Sequence, residues 1–239
     1  MYRETKIAVP IFQKDKNSVL RVAENYIKKG ADLLEFRIDG LSEPSTNLVK
    51  NIIEEINFPT IITNRVIREG GSFKGNEEER VAILQECSDI ADYVDIELQT
   101  DLKYINSIKS SNAKTIISFH DFEKTLPIDD LLAIVKKEKK LGDIAKIAVM
   151  PRNLEDTKIV LAILARCKNT IAISLGDLGS YTRILASKFS APITFATGGD
   201  ITAQGQIDIE TMKLLLNMDI SDHDDFIKAL RRDTHGKKY

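Results

Sequence analysis

Lys146 stands in IAKIAVM, an otherwise apolar run where an ammonium group is poorly solvated. One reading of it is structural: a lysine near a strand end that reaches water or pairs with a carboxylate. The other is chemical: desolvation and neighbouring cations lower its pKa and leave a free amine that can attack a carbonyl. His120, in SFHDF, offers the complementary chemistry. A histidine beside an apolar strand is most often a hydrogen-bonded core residue. This one directly follows the strand before the Lys146 strand, so neighbouring parallel strands would bring the two together. An imidazole titrating near neutrality would then move protons on whatever the lysine holds, and the catalytic reading is the better one.

Glu35 and Arg37 alternate in LLEFRID, a spacing that equally suits an ion pair filling an interior. Arg65 closes TNR, and Arg183 begins a helix in GDLGSYTR. Guanidinium groups at such places suit planar, two-pronged recognition of a carboxylate or phosphate. Several on one face, with no comparable acidic cluster, point to an anionic substrate. Glu69 in RVIREGG and Gln206 in ITAQGQ read, by themselves, as a solvated turn charge and a polar residue ahead of the last helix.

The elements that must position these residues repeat. Short apolar or β-branched runs at 7–9, 33–37, 60–63, 93–96, 114–118, 144–149, 171–175 and 193–195 predict strands. Amphipathic stretches at 18–29, 77–87, 129–141 and 154–166 predict helices between them. Eight strand-then-helix units at a spacing of about 27 residues imply parallel strands with right-handed crossovers. Closure into an α/β (β/α)8 TIM barrel is the economical architecture, as a single domain over 1–220. An open doubly wound sheet would carry a Gly-rich turn after strand one, where Pro10 to Phe12 stand instead. Glycine-rich connections at 65–76 and 196–206 follow strands three and eight, on the face where barrels keep their chemistry. Residues 221–232 predict one more helix, capped by Ser221, and 221–239 ends in a basic tail where His235 is inert.

Composition narrows the class. The 239 residues are 43% hydrophobic, and 34 Lys and Arg face 36 Asp and Glu, for a net charge of −2. That balance lacks the basic excess of a nucleic-acid binder. No apolar run approaches the ~20 residues that span a bilayer. The N-terminus has no signal-peptide apolar region, and Cys87 and Cys167 have no metal-ligand spacing, so a soluble protein of the reducing cytoplasm is expected. With three histidines, two of them (His223 and His235) in the C-terminal segment, and no GxxxxGK[ST] motif, neither a metal nor a phosphate cradle is indicated.

Six segments in order resemble one family, the type I 3-dehydroquinate dehydratases. LEFRID resembles its second-strand motif and TNRVIREGG its arginine-to-glutamate segment. SFHDF resembles its histidine motif, KIAVMP its Schiff-base strand, LGDLGSYTR its carboxylate-binding turn and ITAQGQ its last loop. The resemblance spans residues 35 to 206. It implies a cofactor-free hydro-lyase acting on 3-dehydroquinate. Lys146 would form an imine with the ketone, and His120 would take the adjacent proton and return it to the departing hydroxyl. Glu69 would orient and charge His120. Arg183 would grip the substrate carboxylate, Glu35, Arg37 and Arg65 its hydroxyls, and Thr202 and Gln206 would belong to a closing loop. The resemblance also implies a homodimer. Where the family commonly has SAPGQ, this chain has TAQGQ: threonine keeps a hydroxyl, and loss of proline loosens the open loop. A class I aldolase would use the same lysine, with Gly198 and Gly199 on a phosphate, but the His120 and Glu69 segments favour dehydration. A silent anion-binding barrel would give Lys146 no role.

Overall fold

The computed structural model describes residues 5–199 and 205–218. Strands and helices alternate as β1 (Lys6–Ile11), α1 (Lys16–Lys29), β2 (Leu33–Arg37), α2 (Thr46–Ile56), β3 (Thr60–Thr63), α3 (Glu77–Cys87), β4 (Tyr93–Glu97) and α4 (Leu102–Lys109). They continue as β5 (Lys114–Asp121), α5 (Ile128–Leu141), β6 (Ile144–Val149), α6 (Leu154–Arg166), β7 (Thr170–Ser174), short α7 (Gly176–Gly179) and α8 (Tyr181–Leu185), β8 (Ile193–Phe195) and α9 (Ile209–Asn217). Every ladder is parallel, and the order β7-β6-β5-β4-β3-β2-β1-β8 brings β8 back beside β1. The sheet therefore curls into a nearly closed TIM barrel, as the repeat predicted. Among the described residues β7 and β8 share no ladder. Helix α8 bridges them instead: Ser174 N–H donates to Thr182 Oγ1 at 3.2 Å, and Thr194 Oγ1 donates to the Arg183 carbonyl at 2.8 Å.

Local signals explain where the elements start. Asp15, Ser45, Asn153 and Asp208 cap α1, α2, α6 and α9 through their side chains, and Asn76 with Glu79 closes a capping box on α3. Each such cap is worth ~1 kcal/mol. At the base, Asp32, Asp92 and Asp143 each accept a main-chain N–H from the start of the preceding strand, at Ile7, Thr60 and Thr115. That repeated tie fixes each strand's height against its neighbour.

The two-residue period of the strands sorts side chains to two faces. Leu34, Phe36, Ile62, Val94 and Ile117 point outward into the layer between sheet and helices, all fully buried. Inside, Leu33, Ile61, Tyr93, Ile116 and Ile144 fill an apolar lower layer. Two residues further along the same strands stand Glu35, Thr63, Asp95, Ser118 and Lys146, all buried. The barrel is thus plugged with hydrocarbon below and polar above.

Two expectations shift. Strand β5 extends to Asp121, because its ladder with β6 continues through His120 opposite Ala148 and Asp121 opposite Val149. His120 is therefore a strand residue, held more rigidly than one that follows a strand. Arg183 lies within α8, after the separate turn α7, and does not begin a helix. The segment 221–239, with its expected helix, His223 and His235, lies outside the described residues.

Candidate active site

A cavity of about 100 Å³ opens at the C-terminal end of the strands. Lys146, His120, Glu69, Glu35, Arg37, Arg65, Arg183 and Gln206 all line it, although residues 35 and 206 sit at opposite ends of the motif series. Thr202 lies outside the described residues. A larger cavity, about 760 Å³, runs outside the barrel between Phe12 and Phe73 and is lined by none of these residues.

Lys146 is 5% exposed. Its Nζ donates to Asp95 Oδ2 at 2.7 Å, lies 3.7 Å from Glu35 Oε1, and sits 4.4 Å from the centre of the Phe195 ring. The charged groups that touch it are carboxylates, where the sequence suggested neighbouring cations. Burial alone would raise Asp95, but Arg65 and Lys146 outweigh it and hold the carboxyl far below the usual range. Asp95 Oδ1 also accepts from Arg65 at 2.7 Å and from Ser118 Oγ at 2.6 Å. A buried charge needs that degree of hydrogen bonding to be tolerated.

Arg65 is committed downward. One terminal nitrogen donates to Glu97 at 2.9 Å and to Ser118 Oγ at 2.8 Å, the other to Asp95. Burial would lower its proton affinity, yet Asp95 and Glu97 more than compensate and raise it. Glu97 also meets Arg80 at 2.9 Å. The expected absence of an acidic cluster is therefore overturned: Glu35, Asp39, Glu69, Asp95 and Glu97 surround the cationic groups. The signal was present in YVDIE, where two acids alternate within an apolar strand as Glu35 and Arg37 do. Those two do not pair with each other. Glu35 accepts from Thr63 Oγ1 at 2.9 Å, while Asp39 clamps Arg37 at 2.8 and 2.7 Å and Phe12 stacks on its guanidinium at 5.3 Å.

Glu69 ends a 3-10 turn, Ile67–Glu69, that Gly70 closes at φ +77°. Gly71 then folds back so tightly that a Cβ there would lie 2.0 Å from the Arg65 carbonyl oxygen. This fold aims Glu69 at His120, whose Nδ1 is 2.9 Å and whose main-chain nitrogen is 3.1 Å from Glu69 Oε2. Burial pushes Glu69 up to about 7. Burial, then Arg65 and Lys146, hold His120 well below its usual range. At neutral pH the imidazole is consequently neutral, and Glu69, in its ionised form, draws the ring proton to Nδ1. The Nε2 lone pair is left available as a base.

Arg183 is 1% exposed and donates to the Ser174 carbonyl at 3.1 Å; burial lowers it to about 10. Gly205, at φ +73°, packs where a Cβ would lie 2.0 Å from the Gly176 carbonyl, and this brings Gln206 to the cavity. The sequence also gave no notice of Glu138 on α5. It is fully buried, and neither of its oxygens makes a hydrogen bond of good geometry, although the Lys146 main-chain amide faces it. Burial first, then Asp95 and Glu69, push its carboxyl up to about 9.

The site has relatives. The model of the type I 3-dehydroquinase family matches residues 7–223. The chain is similar to the 3-dehydroquinate dehydratase of Methanobrevibacter smithii, with 62% identity over 92% of this chain and 99% of the relative. Among solved structures it resembles the 3-dehydroquinate dehydratase of Geobacillus kaustophilus, with a TM-score of 0.83 and 29% identity over 89% of this chain and 90% of that one. It also resembles the type I 3-dehydroquinate dehydratase of Clostridium difficile, solved with covalently modified comenic acid, with a TM-score of 0.84 and 27% identity over 90% and 92% of the two chains.

Proposed function

Because the chain belongs to the type I 3-dehydroquinase family, we infer that it is a 3-dehydroquinate dehydratase, a hydro-lyase of the shikimate pathway that converts 3-dehydroquinate to 3-dehydroshikimate. Proton loss beside an unactivated ketone is slow because the carbanion has nowhere to place its charge. In the proposed mechanism the Lys146 amine condenses with the ketone, releasing water and leaving a cationic imine. His120 Nε2 takes the proton from the adjacent carbon, and the C–H electron pair flows into the imine to give an enamine. The enamine then expels the hydroxyl, which leaves as water with the proton from His120. Hydrolysis of the product imine frees the enone and restores Lys146. General acid–base help of this kind is worth typically ~10²–10⁴-fold.

Glu69 orients His120 in this scheme. Arg183 holds the substrate carboxylate, Glu35, Arg37 and Arg65 its hydroxyls, and Gln206 with Thr202 covers it. The observation that carries the assignment is that Lys146, His120 and Arg183 line one small cavity. Mixing purified protein with 3-dehydroquinate and following the ultraviolet absorbance of the conjugated enone tests it. A rise proportional to enzyme is expected, and a flat trace from folded protein would overturn the assignment.

We propose further that 1–220 forms the catalytic unit, that the chain works as a homodimer, and that it resides in the cytoplasm. Both cysteines are free thiols, the state a reducing compartment maintains. Sedimentation at equilibrium checks the dimer.

A further inference from the structure

We propose that Asp95 is a catalytic residue, the fixed counter-ion that keeps the Lys146 imine protonated until the substrate proton has left. The proposal rests on the imine at Lys146 described above.

Asp95 and Glu35 are the carboxylates paired with Lys146, but only Asp95 is within hydrogen-bond distance, 2.7 Å against 3.7 Å. Glu35 is turned toward Thr63. Asp95 Oδ1 is pinned from two sides, by Arg65 and by Ser118. The carboxylate therefore stays in place when Nζ changes from a tetrahedral ammonium to a planar imine. Its side chain has no exposure, so solvent does not screen its charge.

The electron count assigns the role. In the imine, Nζ keeps a single N–H, and that proton is what makes the C=N bond an electron sink. If it is lost, the nitrogen is neutral and the C–H pair has no cation to enter. Asp95 Oδ2, 2.7 Å from Nζ in the free enzyme, is placed to accept that N–H, and it does not take the proton itself because Arg65 and Lys146 hold it ionised. When His120 removes the carbon proton, the C–H pair becomes the enamine C=C bond and the C=N π pair becomes a lone pair on Nζ. The nitrogen is then neutral while Asp95 remains negative. That uncompensated charge favours return of the lone pair, which drives the hydroxyl off the ring. The charged and titratable groups around Asp95 and the Lys146 nitrogen are Arg65 beyond β3, Lys146 on β6, Glu35 on β2, His120 on β5, Glu97 on its own strand, and Glu69 and Glu138 further out.

Asp95→Asn replaces the charge by an amide of the same shape. The expected result is a fall in kcat of about 10²–10³-fold, with the alkaline limb of the pH–rate profile displaced toward acid. Borohydride trapping of the substrate complex should decline at lower pH in this variant than in the parent enzyme. Unmoved trapping and an unmoved alkaline limb would reduce Asp95 to a structural role and overturn the proposal. If borohydride fails to label Lys146 in the parent enzyme, the imine reading itself falls, and that result is separate from any behaviour of the variant. Should Asp95→Asn not fold, 15N spectra of parent enzyme carrying lysine labelled at Nζ decide the matter. A protonated imine nitrogen throughout the pH range of turnover supports the counter-ion; a neutral imine nitrogen within that range overturns it.

Discussion

Glu69 holds His120 through one oxygen: Oε2 lies 3.1 Å from the histidine main-chain nitrogen and 2.9 Å from its Nδ1. Fixing backbone and ring from the same atom leaves the imidazole little freedom to turn. Because burial pushes Glu69 up to about 7, kcat should fall as pH drops through that value. Protonating the carboxyl removes the acceptor for the Nδ1 proton. Glu69→Gln should lose this acid limb and plateau about 10²-fold lower, the cost of a misaligned base. A pH–kcat profile of both proteins measures it, and an unchanged limb in the variant would sink the assignment.

Arg183→Leu should raise KM by about 10–100-fold, the size of one lost charge-assisted hydrogen bond of ~1.5–3 kcal/mol. The imine chemistry at Lys146 would be less affected, so kcat should change by a smaller factor. Steady-state kinetics separates the two, and a variant whose kcat alone suffers would show that Arg183 acts elsewhere than in substrate capture.

Gly71→Ala would place a Cβ 2.0 Å from the Arg65 carbonyl oxygen, a backbone atom that cannot swing aside. The turn carrying Glu69 must shift, costing about 1–3 kcal/mol of stability and lowering kcat together with the Glu69 variants. Denaturant melts and kinetics on the same preparation test this. Full activity in Gly71→Ala would mean that the turn adapts more readily than its packing implies.

Glu138→Met removes a buried carboxyl and conserves its volume. The folded chain holds this proton up to about 9, whereas the ordinary value is 4.5. Folding therefore takes up a proton between those values. The parent protein's stability from this group is complete below 4.5 and is lost progressively as pH rises toward about 9. The variant should be the more stable, with a gap that widens by up to ~1.4 kcal/mol per pH unit. Urea midpoints across the range read the gap directly, and a constant gap would contradict a buried neutral acid.

The eight strands were readable because each carries an apolar outer face whose period differs from that of the following helix. Lys146 was readable because a lysine is the wrong residue type for its strand, and His120 because it stands directly after the apolar run of the neighbouring one. What sequence could not supply is pairing across the barrel. Lys146 and Asp95 are 51 positions apart, and only the curvature of the sheet brings them to 2.7 Å. For the same reason the acids of β4 went unread. Asp39 drew no notice in LLEFRID, yet it grips Arg37 and also accepts the main-chain N–H groups of Arg65 and Ser72. Glu138 was hidden in VKKEKKL, a run that reads as a solvated face until the helix is laid on the sheet and that one acid points inward.

Among the described residues no ladder joins β7 to β8, so the barrel is a ring with a cut there, and Arg183 is fastened to both lips of it. Its guanidinium reaches the Ser174 carbonyl on β7, and its own carbonyl takes the Thr194 hydroxyl on β8. An anion that tightens on that guanidinium thus stiffens the ring where it is least continuous. Amide exchange in β7 and β8 should slow more than elsewhere when the site is filled. Occupancy then becomes a mechanical property of the whole domain, with the substrate as the clasp and its departure as the moment the ring can breathe.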